Sequence, residues 1–186
     1  MERTAIFIDG SNFYSTLRSC NIKIDYVKFL KYFKDRYQLV RASYYTALSD
    51  NAEYNPIKPL VDFLDYNGYS VIKKNMKEFI DPVTGNRRFK GNMDLDMTVD
   101  MMEISDRIDH IILVSGDGDF RRVLEAIQRK GVRVTVLSTI ESEQTILADE
   151  LRRQADEFID LMSIQEFISA DNTKRHYDDD DDDNAE

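Results

Sequence analysis

Ile111-Ile112-Leu113-Val114, followed at once by Ser115-Gly116-Asp117-Gly118-Asp119, is the stretch that decides the fold of this chain. Four uninterrupted apolar residues bounded by a Gly-rich turn read as a strand buried on both faces, the kind that parallel sheets contain. The turn leads straight into a helical pattern. The same arrangement recurs near the beginning, where Ala5-Ile6-Phe7-Ile8 ends in Asp9-Gly10-Ser11-Asn12. If the two strands are neighbours in one sheet, Asp9, Asp117 and Asp119 meet at its carboxyl edge. Open α/β sheets bind ligands at that edge, where the strand order reverses. Clustered carboxylates repel one another unless a cation lies among them. Their hard oxygens point to Mg²⁺ or Mn²⁺.

Outward from these two stretches the pattern alternates strand and helix. Strands are expected at Thr4–Asp9, Leu39–Leu48, Tyr69–Lys74, His110–Ser115 and Val132–Ser138, with a short edge strand at Phe158–Leu161. Helices are expected from Ser11 (as its cap) to Ser19, Asp25 to Arg36, Pro56 to Tyr66, Met93 to Ser105, Phe120 to Lys130 and Gln144 to Phe158. Asn67-Gly68 and Gly131 are stop signals. Asn75–Phe89, with Asp81-Pro82 and Thr84-Gly85-Asn86, reads as a projecting hairpin or loop. Such alternation implies parallel βαβ units with helices on both faces.

The length of 186 residues suits one domain, at 1–168, followed by a polar and then poly-acidic tail at 169–186 that reads as disordered. Of the formal net charge of −10, seven units sit in Asp178–Asp183 and Glu186, so the rest carries −3. That mild charge leaves nucleic-acid binding to local patches. No apolar run approaches transmembrane length, and the start has no signal-peptide shape, so a cytoplasmic protein is expected. The single cysteine, Cys20, excludes an internal disulfide and reads as a small apolar packing residue. His110, at a strand entry, and His176, in the tail, have no partners at triad or ligand spacing.

Asp9 and Asn12 read equally well as a helix cap or as a ligand with a water- or phosphate-holding amide. The Ser115–Asp119 turn favours a metal site: its two glycines allow close backbone approach. A twelve-residue calcium loop and a dinucleotide fingerprint both fail there. In Lys90-Gly91-Asn92-Met93-Asp94-Leu95-Asp96-Met97-Thr98-Val99-Asp100, the face of Leu95, Val99 and Met102 is expected to be core. Asp96 and Glu103 read as a solvated stripe. Asp94, off that stripe and in the first turn, is the better site candidate, and Asp100 stays open. Lys73, Lys74, Lys77, Arg87, Arg88 and Lys90, interleaved with Tyr69, Phe79 and Phe89, have the composition of a phosphate-tracking groove, or equally of a charged hairpin or a homodimer contact. Arg121, Arg122, Arg129, Lys130 and Arg133 form a second basic set of weaker meaning.

These pieces resemble the LabA-like type of NYN domain, within the PIN-like nuclease group. The matching segments are Ile8–Asn12, Lys90–Asp94 with Asp100, Val114–Phe120 and Ala148–Asp156, in the family's order over roughly residues 3–161. The resemblance implies a Rossmann-like three-layer sandwich. Its mainly parallel sheet would have five or six strands in the order 3-2-1-4-5. It also implies a metal-dependent ribonuclease whose Mg²⁺ or Mn²⁺ is held by Asp9, Asp94, Asp117 and Asp119. Asn12, Ser115 and Asp100 would stand beside the acids, with Lys90, Arg87, Arg88 and Lys74 on the RNA. Two ions about 3.5–4 Å apart would suit phosphodiester hydrolysis without a histidine. The alternative is a catalytically weak or inactive RNA- or protein-binding adaptor on the same fold. A small-phosphoester hydrolase is disfavoured, because a haloacid-type phosphatase needs a second Asp where Ser11 stands. The acidic tail fits either a protein partner or a salt-sensitive cover for the basic hairpin.

Overall fold

Six parallel strands form one sheet between two layers of helices. The computed structural model describes residues 1–48, 57–75, 77–80, 87–90, 93–141 and 146–170, with 77–80 and 87–90 described by their backbone alone. The strands are β1 (Arg3–Asp9), β2 (Gln38–Leu48), β3 (Ser70–Asn75), β4 (Lys77–Ile80), β5 (Arg87–Lys90), β6 (His110–Val114), β7 (Arg133–Ser138) and β8 (Glu157–Asp160). The helices are α1 (Gly10–Ser19), α2 (Tyr26–Lys34), α3 (Lys58–Tyr66), α4 (Asp94–Ile104), α5 (Arg121–Gln128), α6 (Asp149–Gln154) and α7 (Gln165–Ile168). The main sheet runs β3-β2-β1-β6-β7-β8, and β4 and β5 pair antiparallel as a separate hairpin. Counting only the parallel strands, the order is 3-2-1-4-5-6: the implied 3-2-1-4-5, with β8 added at the edge beside β7. The strand order reverses between β1 and β6, which lie side by side with Ile8 opposite Val114.

Strand alternation divides the core in two. Ala5, Phe7, Ile111, Leu113, Val134 and Val136 face α4, α5 and α6. Ile6, Ile8, Ile112, Val114 and Leu137 face Phe13 and Leu17 of α1, Phe29, Leu30 and Phe33 of α2, and Leu161, Ile164 and Ile168 near the end. Burial on both faces explains why β1 and β6 read as continuous apolar runs. Asp25 caps α2, accepting from the amides of Val27 (2.9 Å) and Lys28 (3.0 Å). Such a cap contributes about 1 kcal/mol. Cys20 is half-buried against the second core.

Three local expectations are corrected. The cap of α1 is Asp9, not Ser11, because the helix begins directly at Gly10. The core face of α4 is Met93, Met97 and Met101, while Leu95 is 72% and Val99 47% exposed. That helix carries apolar residues on two sides, and only packing against Phe7 and Leu113 chooses between them. Of the helix expected over Gln144–Phe158, the described residues form only Asp149–Gln154, and Gln144 and Thr145 lie outside the described residues. Ala155 turns to extended backbone, and the following residues join the sheet as β8 beside β7. Asp156 locks that change of course: its amide donates to the Val134 carbonyl (3.0 Å), and its carboxylate accepts from the Val134 amide (2.8 Å). The turns at Asp81-Pro82 and Thr84-Gly85-Asn86 and the poly-Asp tail lie outside the described residues. No helix among the described residues is long and apolar enough to cross a membrane.

Candidate metal centre

Asp94, Asp117 and Asp119 each place a carboxylate oxygen within 4.8 Å of the other two. Two elements supply them. Asp94 is the first residue of α4, whose methionine face holds it over the sheet. Asp117 and Asp119 lie in the turn that leaves β6. Asp94 and Asp117 are half-buried, and Asp119 is exposed. In the turn, the Asp117 carboxylate accepts from the amide of Asp119 (2.9 Å), and the Asp117 amide donates to Ser115 Oγ (3.2 Å).

Asp9 stands on the neighbouring strand end and is outside that trio. It is 7% exposed. Its Oδ1 accepts from Ser11 Oγ (2.9 Å) and the Asn12 amide (3.2 Å), and its Oδ2 accepts from Ser115 Oγ (3.2 Å). Asn12 Oδ1 in turn accepts from the Gly116 amide (2.9 Å). Asp9, Ser115 and Asn12 therefore tie the ends of β1 and β6 together beneath the acidic turn. Asp100 lies further along α4 and accepts from Tyr45 Oη at 2.7 Å. Tyr45 is the register partner of Asp9 on β2, so Asp100 belongs to the wall of this site. Burial, and then the adjacent Asp100 carboxylate, push the Tyr45 hydroxyl well above its ordinary pKa, so it stays a donor.

The donor chemistry fits a small divalent cation. Three carboxylate oxygens of this type suit Mg²⁺ or Mn²⁺, which keep several waters and take only a few protein ligands. Among the described residues no lysine or arginine forms an ion pair with Asp9, Asp117 or Asp119. The turn is also tightly enclosed. A β-carbon on Gly116 would run into the Ile146 carbonyl. On Gly118 it would lie 2.5 Å from Glu150 Oε1. Glu150, from the start of α6, is thus a carboxylate beside the acidic turn that the spacing of the sequence had not singled out. Its place beside the turn is set by the packing of the short helix α6.

The basic residues are distributed differently from the acids. Lys74 ends its reach on Asp96 (2.8 Å), so Asp96 is a paired residue rather than part of a freely solvated stripe. Lys73 pairs with Asp65 (3.0 Å). Arg87, Arg88 and Lys90 are on β5, which leads toward α4, and their side chains lie outside the described residues. His110 is fully buried at the opposite, amino-terminal edge of the sheet, between Thr4 Oγ1 (3.3 Å) and Thr135 Oγ1 (2.7 Å). It is remote from the acidic turn, and His176 lies outside the described residues.

Comparison with known proteins agrees with this architecture. The profile of the family described as the NYN domain matches residues 3–164. The chain is 38% identical over 170 residues to the Low amplitude and bright protein LabA of Synechococcus elongatus, covering 90% of this chain and 88% of the relative. It also resembles the crystal structure of a protein of unknown function from Vibrio parahaemolyticus. There the TM-score is 0.67 and the identity 28%, over 90% of this chain and 96% of that one.

Proposed function

The chain belongs to the NYN domain family of the PIN-like nuclease group, and we propose that it is a metal-dependent ribonuclease. The convergence of Asp94, Asp117 and Asp119 at the strand-order reversal carries this reading. These three residues would hold Mg²⁺ or Mn²⁺, with Asp9 as the neighbouring carboxylate. When bound, the cation supplies Lewis acidity toward a phosphodiester.

The other residues position and orient. Ser115 and Asn12 hold the turn after β6 in place through Asp9 and Gly116. Gly116 and Gly118 let the chain from Ile146 to Glu150 pack closely over the turn and fix its shape. Arg87, Arg88 and Lys90 would meet flanking phosphates, and Lys74 would join them by exchanging Asp96 for a phosphate. Hydrolysis adds water across the P–O3′ bond, leaving a 5′-phosphate on one fragment and a 3′-hydroxyl on the other. No histidine is needed on this route.

The test is cleavage of end-labelled RNA by the purified protein and by Asp9→Asn and Asp117→Asn, with Mg²⁺, Mn²⁺ or EDTA. Cleavage that requires the metal and falls at least about a hundredfold in both variants is expected. Undiminished cleavage by both variants would sink the assignment. RNA binding without cleavage under every condition would replace it with the adaptor reading.

A further inference from the structure

We infer that Glu150 is an outer carboxylate of the cation site, accepting hydrogen bonds from the waters that a divalent ion held by Asp94, Asp117 and Asp119 retains, and so tightening its binding. The inference rests on the metal-centre reading and adds a residue which that reading leaves unused. Geometry across the fold puts Glu150 there. Leu151 anchors α6 in the core. The Ala148 amide donates to the Gly116 carbonyl at 2.9 Å, which lays the start of α6 on the acidic turn. Glu150 Oε1 lies 2.5 Å from where a β-carbon on Gly118 would stand, hence within about 4 Å of the Gly118 Cα. Gly118 is the residue between Asp117 and Asp119. Its φ is not positive, so its backbone does not call for glycine. A side chain there would meet the Glu150 carboxylate and, at 3.1 Å, the Ala148 β-carbon.

The partners that a glutamate at this place would ordinarily take are committed elsewhere. Residues three and four further along a helix are its surface neighbours. Arg153 gives its Nε to Asp149 (2.6 Å), and Gln154 gives its side-chain amide to Gln128 Oε1 (2.7 Å). The Arg152 guanidinium lies 5.0 Å from the centre of the Phe158 ring. Among the described residues Glu150 has no ion pair and no hydrogen bond, yet it stands against a turn that already carries two carboxylates, with a third from α4. Like charges brought together in this way are stabilised by a cation among them. Asp94, Asp117 and Asp119 bring their oxygens within 4.8 Å of one another without Glu150, so its contact with the ion runs through water. Mg²⁺ and Mn²⁺ suit that role, because such ions keep several waters whose protons need acceptors, and acceptors of this kind strengthen a site.

The experiment titrates Mn²⁺ into the full-length, metal-free protein by calorimetry at 0.15 M salt, without RNA. Binding that Asp117→Asn removes defines the site and separates it from Mn²⁺ taken up by the acidic tail. Glu150→Gln should weaken that binding about tenfold, as loss of an outer partner of a metal site does. Asp149→Asn removes the same charge from the same helical turn, but its carboxylate is already paired with Arg153. It should change the affinity by less than about twofold, because the pair is close to neutral and salt screens what remains. Urea transitions of the metal-free wild type and Glu150→Gln should coincide. Unchanged affinity in Glu150→Gln, or an equal fall in both variants, overturns the inference and leaves the three aspartates standing as ligands. A metal-free midpoint lower for Glu150→Gln than for Asp149→Asn marks a structural role and overturns it as well. Mn²⁺ binding that Asp117→Asn does not diminish overturns the inference and the metal centre together.

Discussion

Asp9 performs two tasks with one carboxylate. It caps α1 through Oδ1 and ties β1 to β6 through Oδ2. Asparagine keeps an acceptor oxygen for the cap but loses the charge. Asp9→Asn should therefore shift folding stability by less than about 1 kcal/mol, measured by urea denaturation, while Mn²⁺ affinity measured by calorimetry falls sharply. A variant that unfolds would show a structural role only. His110 offers a separate residue-scale prediction. Burial, with a smaller contribution from Arg133, lowers its pKa to about 4, against which Glu2, Glu157 and Asp156 pull upward. The unfolded chain titrates near 6.5, so the unfolded state binds the proton first as pH falls. Stability is fully present above about pH 6.5 and is lost progressively down to about pH 4, by on the order of 3 kcal/mol in total. His110→Gln cannot titrate. Its denaturation midpoint should be flatter than the wild type's across that window, and equal slopes would remove the explanation.

At the scale of elements, α4 is the informative one. It carries Asp94 into the site, and its orientation depends on which apolar stripe is buried. Met97 is 0% exposed among Phe7, Leu113 and Met101. Met97→Ala should cost about 2–5 kcal/mol through lost contacts and a cavity. Leu95→Ala, on the exposed face, should stay within about 0.5 kcal/mol. Denaturation curves for the pair decide the matter, and the reverse ranking would mean that the helix is turned the other way. The same rotation would carry Asp94 away from Asp117, so this stability comparison also bears on the site.

At the scale of the whole molecule, the last described segment closes the layer opposite the acidic turn. Leu161, Ile164 and Ile168 pack with Phe29, Leu30 and Phe33. The backbone is fastened there by Asp25 N to Ile168 O (2.8 Å) and Ala170 N to Lys23 O (2.8 Å). A chain ending after Ala170 should keep the wild-type melting temperature. One ending before Leu161 should melt far lower or fail to fold, because it bares that core. Thermal melts of both truncations test where the domain stops, and a low melting temperature for the longer one would place structural weight on the acidic tail.

By itself the sequence determined the alternating fold, the two buried parallel strands, and the identity of the acids gathered at their ends. Continuous apolar runs record burial on both faces, and Gly-rich acidic turns record a tight strand-to-helix passage; both are local properties. The place of each segment in the sheet came from resemblance to a family rather than from spacing. Other features were decided only by tertiary structure. Two-sided apolarity in α4 left its inward face open until Met97 met the sheet. Helical propensity after Gln154 was overruled by β8, whose pairing with β7 satisfies backbone groups that a longer helix would have withheld. Proximity of Asp94 to Asp117 and the commitment of Lys74 to Asp96 are long-range facts. Coulombic partners are chosen by distance in space, and the spacing of charges along a chain does not encode it.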